Sequence, residues 1–207
     1  MDKIESILRL GPVMPVLIVD NAEDAVAIAK ALRDGGLTAI EVTLRTAVAL
    51  DAIKKISALG DVVVGAGTVL SEADMIGAVD AGAHFAVSPG FTPAIAACAR
   101  RLKIPYMPGV SSASDIMLGM ECGLRHFKFF PAVASGGIPA LRALCAPFKD
   151  ALFCPTGGIS ADTASDWLAL PQVLCVGGTW LVDRHNPDPS RITATTRSTV
   201  NELTKRA

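Results

Sequence analysis

Charge is scarce in this sequence and almost balanced: 19% of the 207 residues are charged, and the formal net charge is −1. Such a chain carries no basic field to draw in nucleic acid or an anionic membrane, so an anionic ligand must be held by local donors. No uncharged apolar run is long enough to cross a bilayer. Residues 1–9 alternate charged and aliphatic side chains like a short amphipathic helix, without the apolar stretch of a secretory signal. Cys98, Cys122, Cys145, Cys154 and Cys175 fall singly, with no Cys-x-x-Cys pair, and His84, His126 and His185 are scattered. Metal-ligand spacing and a disulfide framework are both missing, which points to reduced, buried thiols in a cytoplasmic protein. Apolar residues, by contrast, make up 51% of the chain. That excess over an ordinary soluble domain calls for a large closed interior and excludes disorder.

The apolar residues are periodic. Short β-rich runs at 14–20, 38–44, 61–65, 83–88, 104–110, 125–130, 151–155 and 172–176 recur about every 20–25 residues. Alanine-rich segments of helical period lie between them, at 22–33, 47–58, 72–81, 93–102, 114–122 and 138–148. Asn21, Ser71, Thr92, Ser114 and Ser160 are placed to cap the helices that follow, and Gly35, Gly60, Gly82 and Gly123 to end those before. Eight strand–helix units, each strand reading as buried, predict an α/β fold: a (β/α)₈ TIM barrel with a short N-terminal helix, occupying 1–207 as one domain. An open doubly wound sheet is the competing architecture, and it would leave edge strands with a weaker apolar signal.

In such a barrel the chemistry sits at the C-terminal ends of the strands, so polar residues inside apolar strands are the informative ones. Along the second strand, alternation sends Ile40, Val42 and Leu44 toward the helices and Glu41, Thr43 and Arg45 into the barrel. A plain Glu–Arg ion pair is the structural alternative there. Along the sixth strand, Phe127 and Phe129 point outward and leave Lys128 inward beside His126 and Phe130. Lys128 is the only one of the eight lysines set in a strand core between aromatics. Desolvation favours the neutral amine that imine chemistry needs. Pairing with Glu41 is a second use for the same lysine, and the two uses are compatible. Glycine-rich strand ends follow at 64–68, 154–160 and 176–179. Glycines let backbone N–H groups approach an anion, and the loops after the seventh and eighth strands are the usual phosphate site of a barrel.

Six motifs together resemble one family. Glu-Val-Thr-Leu-Arg-Thr (41–46), Val-Gly-Ala-Gly-Thr-Val-Leu (64–70), Ser-Pro-Gly (88–90), Phe-Lys-Phe-Phe-Pro-Ala (127–132), Phe-Cys-Pro-Thr-Gly-Gly-Ile (153–159) and Val-Gly-Gly-Thr-Trp-Leu (176–181) are similar to the bacterial 2-keto-3-deoxy-6-phosphogluconate (KDPG) aldolases. Those enzymes often also act as 4-hydroxy-2-oxoglutarate (KHG) aldolases. The resemblance implies a metal-independent class I aldolase without a cofactor, a homotrimer, cleaving the phosphorylated 2-keto-3-deoxy sugar acid to pyruvate and glyceraldehyde 3-phosphate. It implies that Lys128 forms the imine and Glu41 carries protons. Arg45 and Thr68 would bind the pyruvate carboxylate, with Pro89 and Phe130 shaping its pocket. Thr156 would steer stereochemistry, and Gly157, Gly158, Gly178 and Thr179 would receive the phosphate. The family generally has serine where this chain has Thr179, and the added methyl crowds that contact. No motif lies beyond Val182.

Three rivals differ in what they need. The enzyme for the galactonate-derived epimer differs at one hydroxyl and shares nearly every motif. A phosphate-binding isomerase or synthase would keep the glycine loops without a buried lysine. A non-catalytic barrel binding a phosphorylated metabolite has no use for the Glu41, Arg45 and Lys128 set.

Overall fold

The computed structural model describes residues 3–205. Within them the strands are β1 (Val13–Leu17), β2 (Ala39–Thr43), β3 (Val63–Gly67), β4 (Phe85–Val87), β5 (Tyr106–Met107), β6 (Gly109–Val110), β7 (His126–Phe129), β8 (Leu152–Pro155) and β9 (Val176–Gly178). The helices are α1 (Lys3–Leu8), α2 (Ala22–Asp34), α3 (Ala49–Ser57), α4 (Glu72–Asp80), α5 (Pro93–Leu102), α6 (Ala113–Glu121), α7 (Gly137–Cys145), α8 (Ala161–Leu168) and α9 (Pro189–Thr204). Every strand pairing is parallel. The crossover helices cover the outer face, which is why the strands read as almost continuous apolar runs.

The sheet curls, but its ladder is not the unbroken ring expected from the sequence. It divides into six strands in the order β5-β4-β3-β2-β1-β9 and three in the order β6-β7-β8. The first break has a covalent cause. Residues 106–110 form one extended run, but Pro108 at its centre has no N–H to give. Tyr106 and Met107 pair with β4, while Gly109 and Val110 pair with β7. The Pro108 carbonyl still accepts from the Lys128 N–H at 2.8 Å. At the second break, β8 meets the last strand region through the isolated parallel bridges Phe153–Val173 and Thr156–Gly177. The offset between bridged residues changes from 20 to 21 across these two contacts, so no regular ladder forms.

Helix ends follow the capping residues with one correction. Asn21, Ser71, Thr92 and Ser160 sit at N-caps, but Ser114 lies inside α6. Its cap is Ser112, whose side chain accepts from the Asp115 N–H while the Asp115 carboxylate accepts in return, a capping box. The core forms two clusters. The larger lies between strands and helices; the smaller gathers Met14, Phe85, Val87, Met107, Cys154 and Cys175 under Ile4 and Leu8 of α1. The short N-terminal helix therefore plugs one end of the curled sheet. The stretch beyond Val182, without motifs in the sequence, holds α9. It buries Ile192, Thr196, Thr199 and Leu203, and Thr193 Oγ1 and Arg197 donate to the Ala31 and Asp34 carbonyls near the end of α2.

Candidate active site

Glu41 and Lys128 are separated by 87 residues and meet inside the curled sheet. Lys128 Nζ donates to Glu41 Oε1 at 2.9 Å and lies 3.2 Å from Oε2. Both residues are buried, at 1% and 5% exposure. β2 sets Glu41 beside Val16 and Gly65, and β7 sets Lys128 between Gly109 and Cys154. The Phe127 and Phe129 rings are buried in the outer core layer, as strand alternation requires, which turns Lys128 inward. The alternative Glu41–Arg45 ion pair does not form. Arg45 lies past the end of β2, is exposed, and reaches Thr68 Oγ1 through its Nε at 3.3 Å. Thr43, inward as expected, donates its hydroxyl to the Leu17 carbonyl at 2.8 Å.

The other sequence-predicted residues arrange around this pair. Lys128 Nζ stands 5.4 Å from the centre of the Phe130 ring, within range of a cation–π contact. The same ring lies against Gly157, where a side chain would come within 3.4 Å of it. Pro89 arrives from the loop after β4, and its carbonyl packs on the Cα of Gly109, the register neighbour of Lys128. That loop is anchored from behind: Ser88 Oγ donates to the Gly90 carbonyl and is 2.6 Å from the Tyr106 hydroxyl. Burial pushes the Tyr106 phenol up to about 12, against the opposing pull of Ser88. Tyr106 is therefore a neutral strut. Thr156 is buried, donates to the Cys154 carbonyl at 3.3 Å, and bridges to Gly177. From there the chain runs through Gly178 to Thr179, which is exposed and lines a cavity with Val16, Ile18, Val182 and Arg184. Gly157 and Gly158 both take left-handed backbone conformations, at φ +104° and +79°. Arg184 closes this end with two 2.8 Å contacts to the Asp20 carboxylate.

Thiols complete the floor. Cys154 and Cys175 are buried with their sulfurs 3.6 Å apart. Hydrogen bonding to Cys154, then burial, raises the Cys175 thiol well above its ordinary range and keeps it neutral. A neutral thiol is a poor nucleophile. Among the described residues no group of His, Cys, Asp and Glu is arranged to hold a metal ion. What remains is one amine, one carboxylate in contact with it, and an arginine at the rim.

The glycine-rich end of β3, at 64–68, makes room for side chains of neighbouring strands. The ring of Phe85 lies across Gly65, so this glycine makes room for a side chain and not for an anion. Sequence reasoning also missed Gly109, Gly177 and the Cys154–Cys175 pair. The available signal was alternation itself, which puts each of them at an inward position.

A sequence profile described as KDPG and KHG aldolase matches residues 4–195. The KHG/KDPG aldolase of Escherichia coli (strain K12) is 52% identical over 179 residues, which span 86% of this chain and 84% of that protein. The crystal structure of the 2-keto-3-deoxy-6-phosphogluconate aldolase of Zymomonas mobilis ZM4 with 3-phosphoglycerate superposes with a TM-score of 0.94. It is 47% identical, covering 96% of this chain and 95% of that one. A KDPG aldolase from Legionella pneumophila, with pyruvate captured as a covalent carbinolamine intermediate, gives a TM-score of 0.91. Its identity is 42% over 95% of this chain and 97% of that one.

Proposed function

The chain belongs to the KDPG and KHG aldolase family, and from that premise we propose how its residues cleave a phosphorylated 2-keto-3-deoxy sugar acid. The observation that carries the reading is the buried contact between Lys128 Nζ and Glu41 Oε1. An amine becomes a nucleophile only after losing a proton, and a carboxylate 2.9 Å away is the acceptor for it. Lys128 attacks the C2 ketone, and Glu41 returns the proton to the carbinolamine oxygen so that water leaves and the cationic imine forms. That imine is the electron sink. The C4 hydroxyl gives up its proton to the Glu41 carboxylate, the C3–C4 electron pair moves toward the imine, and glyceraldehyde 3-phosphate departs. Glu41 passes that proton to the enamine at C3, and water hydrolyses the imine to release pyruvate and restore the Lys128 amine. The imine does the work that a metal would do in polarising the ketone, so the enzyme is metal-independent and needs no cofactor.

Arg45, steadied by Thr68, holds the carboxylate common to every substrate of this chemistry through a charge-assisted contact. Pro89 and Phe130 wall the pyruvate portion, and Thr156 faces the new carbinol centre. Gly157, Gly158, Gly178 and Thr179 receive the phosphate at the far end. The two sheets act as one closed (β/α)₈ barrel spanning a single domain, and the enzyme works in the cytoplasm. 4-Hydroxy-2-oxoglutarate, which lacks the phosphate, is cleaved to pyruvate and glyoxylate in the same pocket.

Kinetics on the two substrates test this layout. Arg45→Ala impairs both, by roughly 10-fold or more if a charged hydrogen bond of about 1.5–3 kcal/mol is lost. Thr179→Val weakens only the phosphorylated substrate, mostly in KM if the contact is equally strong in ground and transition states. An Arg45→Ala defect confined to the phosphorylated substrate would mean that the two ends of the pocket are reversed. The exposed apolar side chains of Leu70, Met117, Leu118 and Val133 suit contact between copies in a homotrimer. Sedimentation at assay concentrations should return three times the 21.5 kDa chain mass, and a monomer mass would remove that assignment.

A further inference from the structure

β3 has glycine at two of its three inward positions, 65 and 67, and sends only Val63, at its start, into the interior. Its neighbours fill the space. Phe85 of β4 covers Gly65, and Glu41 of β2 covers Gly67. The register places Glu41 beside Gly65 and Thr43 beside Gly67, so the Glu41 side chain leans along its strand toward the mouth. A Cβ on Gly67 would stand 2.6 Å from Glu41 Cγ and 2.7 Å from Cδ, and it would also collide with Oε1. Those contacts are far inside van der Waals distance. They involve the stem of the side chain as well as its tip, so a swing of the carboxylate alone does not relieve them. The backbone of Gly67 is ordinary extended strand, with no positive φ to demand glycine. The reason for glycine here is space.

We propose that Gly67 is a positioning residue: its missing side chain forms the recess that seats the Glu41 carboxylate against Lys128. The proposal rests on the reading of Glu41 as the proton carrier. Any methyl at position 67 makes Glu41 leave its rotamer. It cannot retreat inward, because the Phe85 ring fills the place below and buried residues line the floor. A shift of about 1 Å already takes the 2.9 Å and 3.2 Å contacts outside hydrogen-bond geometry. Displacement on that scale costs on the order of 10²-fold in rate. The substrate carboxylate is held elsewhere, so KM moves little.

The test couples kinetics to a double-mutant cycle in thermal stability. Gly67→Ala should lower kcat about 10²-fold, with KM within a few-fold of the parent. It should also lower the melting temperature by roughly 5 °C, the scale of an overpacked core in a chain of this size. In a Glu41→Ala background the stem and carboxylate are gone, and Gly67→Ala should then cost almost nothing in melting temperature. If Gly67→Ala alone does not fold, recovery of folding in Gly67→Ala/Glu41→Ala is the same result. Gly177→Ala is the control, because its Cβ would meet Thr156 and its penalty should be unchanged by Glu41→Ala. An equal penalty for Gly67→Ala in both backgrounds, or full activity in the single variant, overturns the proposal. Full activity in Glu41→Ala would instead overturn the role given to Glu41, while the stability cycle would still judge the recess.

Discussion

Lys128→Met should lower kcat/KM on the phosphorylated substrate on the order of 10⁵-fold, the scale on which deleting a covalent nucleophile acts. Methionine keeps the length and most of the apolar volume of the lysine stem, so lost amine and lost packing are separable. The substitution also leaves the Glu41 carboxylate buried at 1% exposure without its 2.9 Å partner. Removing one member of a buried pair costs about 3–5 kcal/mol, whereas replacing both members is often close to neutral. Lys128→Met/Glu41→Gln should therefore recover most of the lost stability in urea unfolding while recovering none of the activity. A merely structural ion pair makes the opposite prediction: the double variant would regain function along with stability. More than about 1% of parental kcat/KM in Lys128→Met would rule out a covalent role for this residue.

Glu41→Gln should lower kcat by roughly 10²–10⁴-fold, the range for one positioned proton carrier. The amide keeps the shape of the carboxylate, accepts a hydrogen bond from Lys128 and still fits above Gly67, but it cannot take up a proton. The defect should fall equally on the phosphorylated substrate and on 4-hydroxy-2-oxoglutarate, because proton transfer concerns the ketone that both possess. It should also slow formation of the pyruvate imine without abolishing it, since water can carry the proton less efficiently. Timed borohydride quenching of enzyme mixed with pyruvate measures that rate directly. An unchanged trapping rate with low turnover would move Glu41 to a later step; unchanged turnover would remove it from the mechanism.

The pairing of Lys128 with Glu41 was legible in the sequence because strand alternation is rigid. A polar residue flanked by Phe127 and Phe129 has only one direction left, and the same holds for Glu41 between Ile40 and Val42. Seven of the eight strand runs were legible for a related reason, that strands covered on both faces are apolar; the eighth, expected at 172–176, begins only at Val176. Pro108 shows where that reasoning stops. Composition marks the run 104–110 as one strand, yet the missing N–H divides its hydrogen bonds between β4 and β7. Arg45 shows a second limit. Alternation carries it into the barrel only while the strand lasts, and β2 ends at Thr43. Ser114 and Ser112 differ by two residues and both are good caps, so only the partner Asp115 decides between them. The inward glycines were the least legible of all. A glycine in a strand announces close approach without saying of what, and nothing local at 64–68 names the partner. The Phe85 ring and the Glu41 carboxylate reach those positions from neighbouring strands, a fact of register and not of local sequence.

Covalent trapping tests the proposed metal-free imine chemistry at a single lysine most directly. After exhaustive chelation, the protein is incubated with pyruvate, reduced with borohydride and digested, and the peptides are weighed. One stoichiometric reduced pyruvate adduct is expected, on Lys128 alone of the eight lysines, with turnover unaffected by the chelator beforehand. An adduct on any other lysine, no adduct, or an adduct that forms only when a divalent ion is restored would contradict that chemistry.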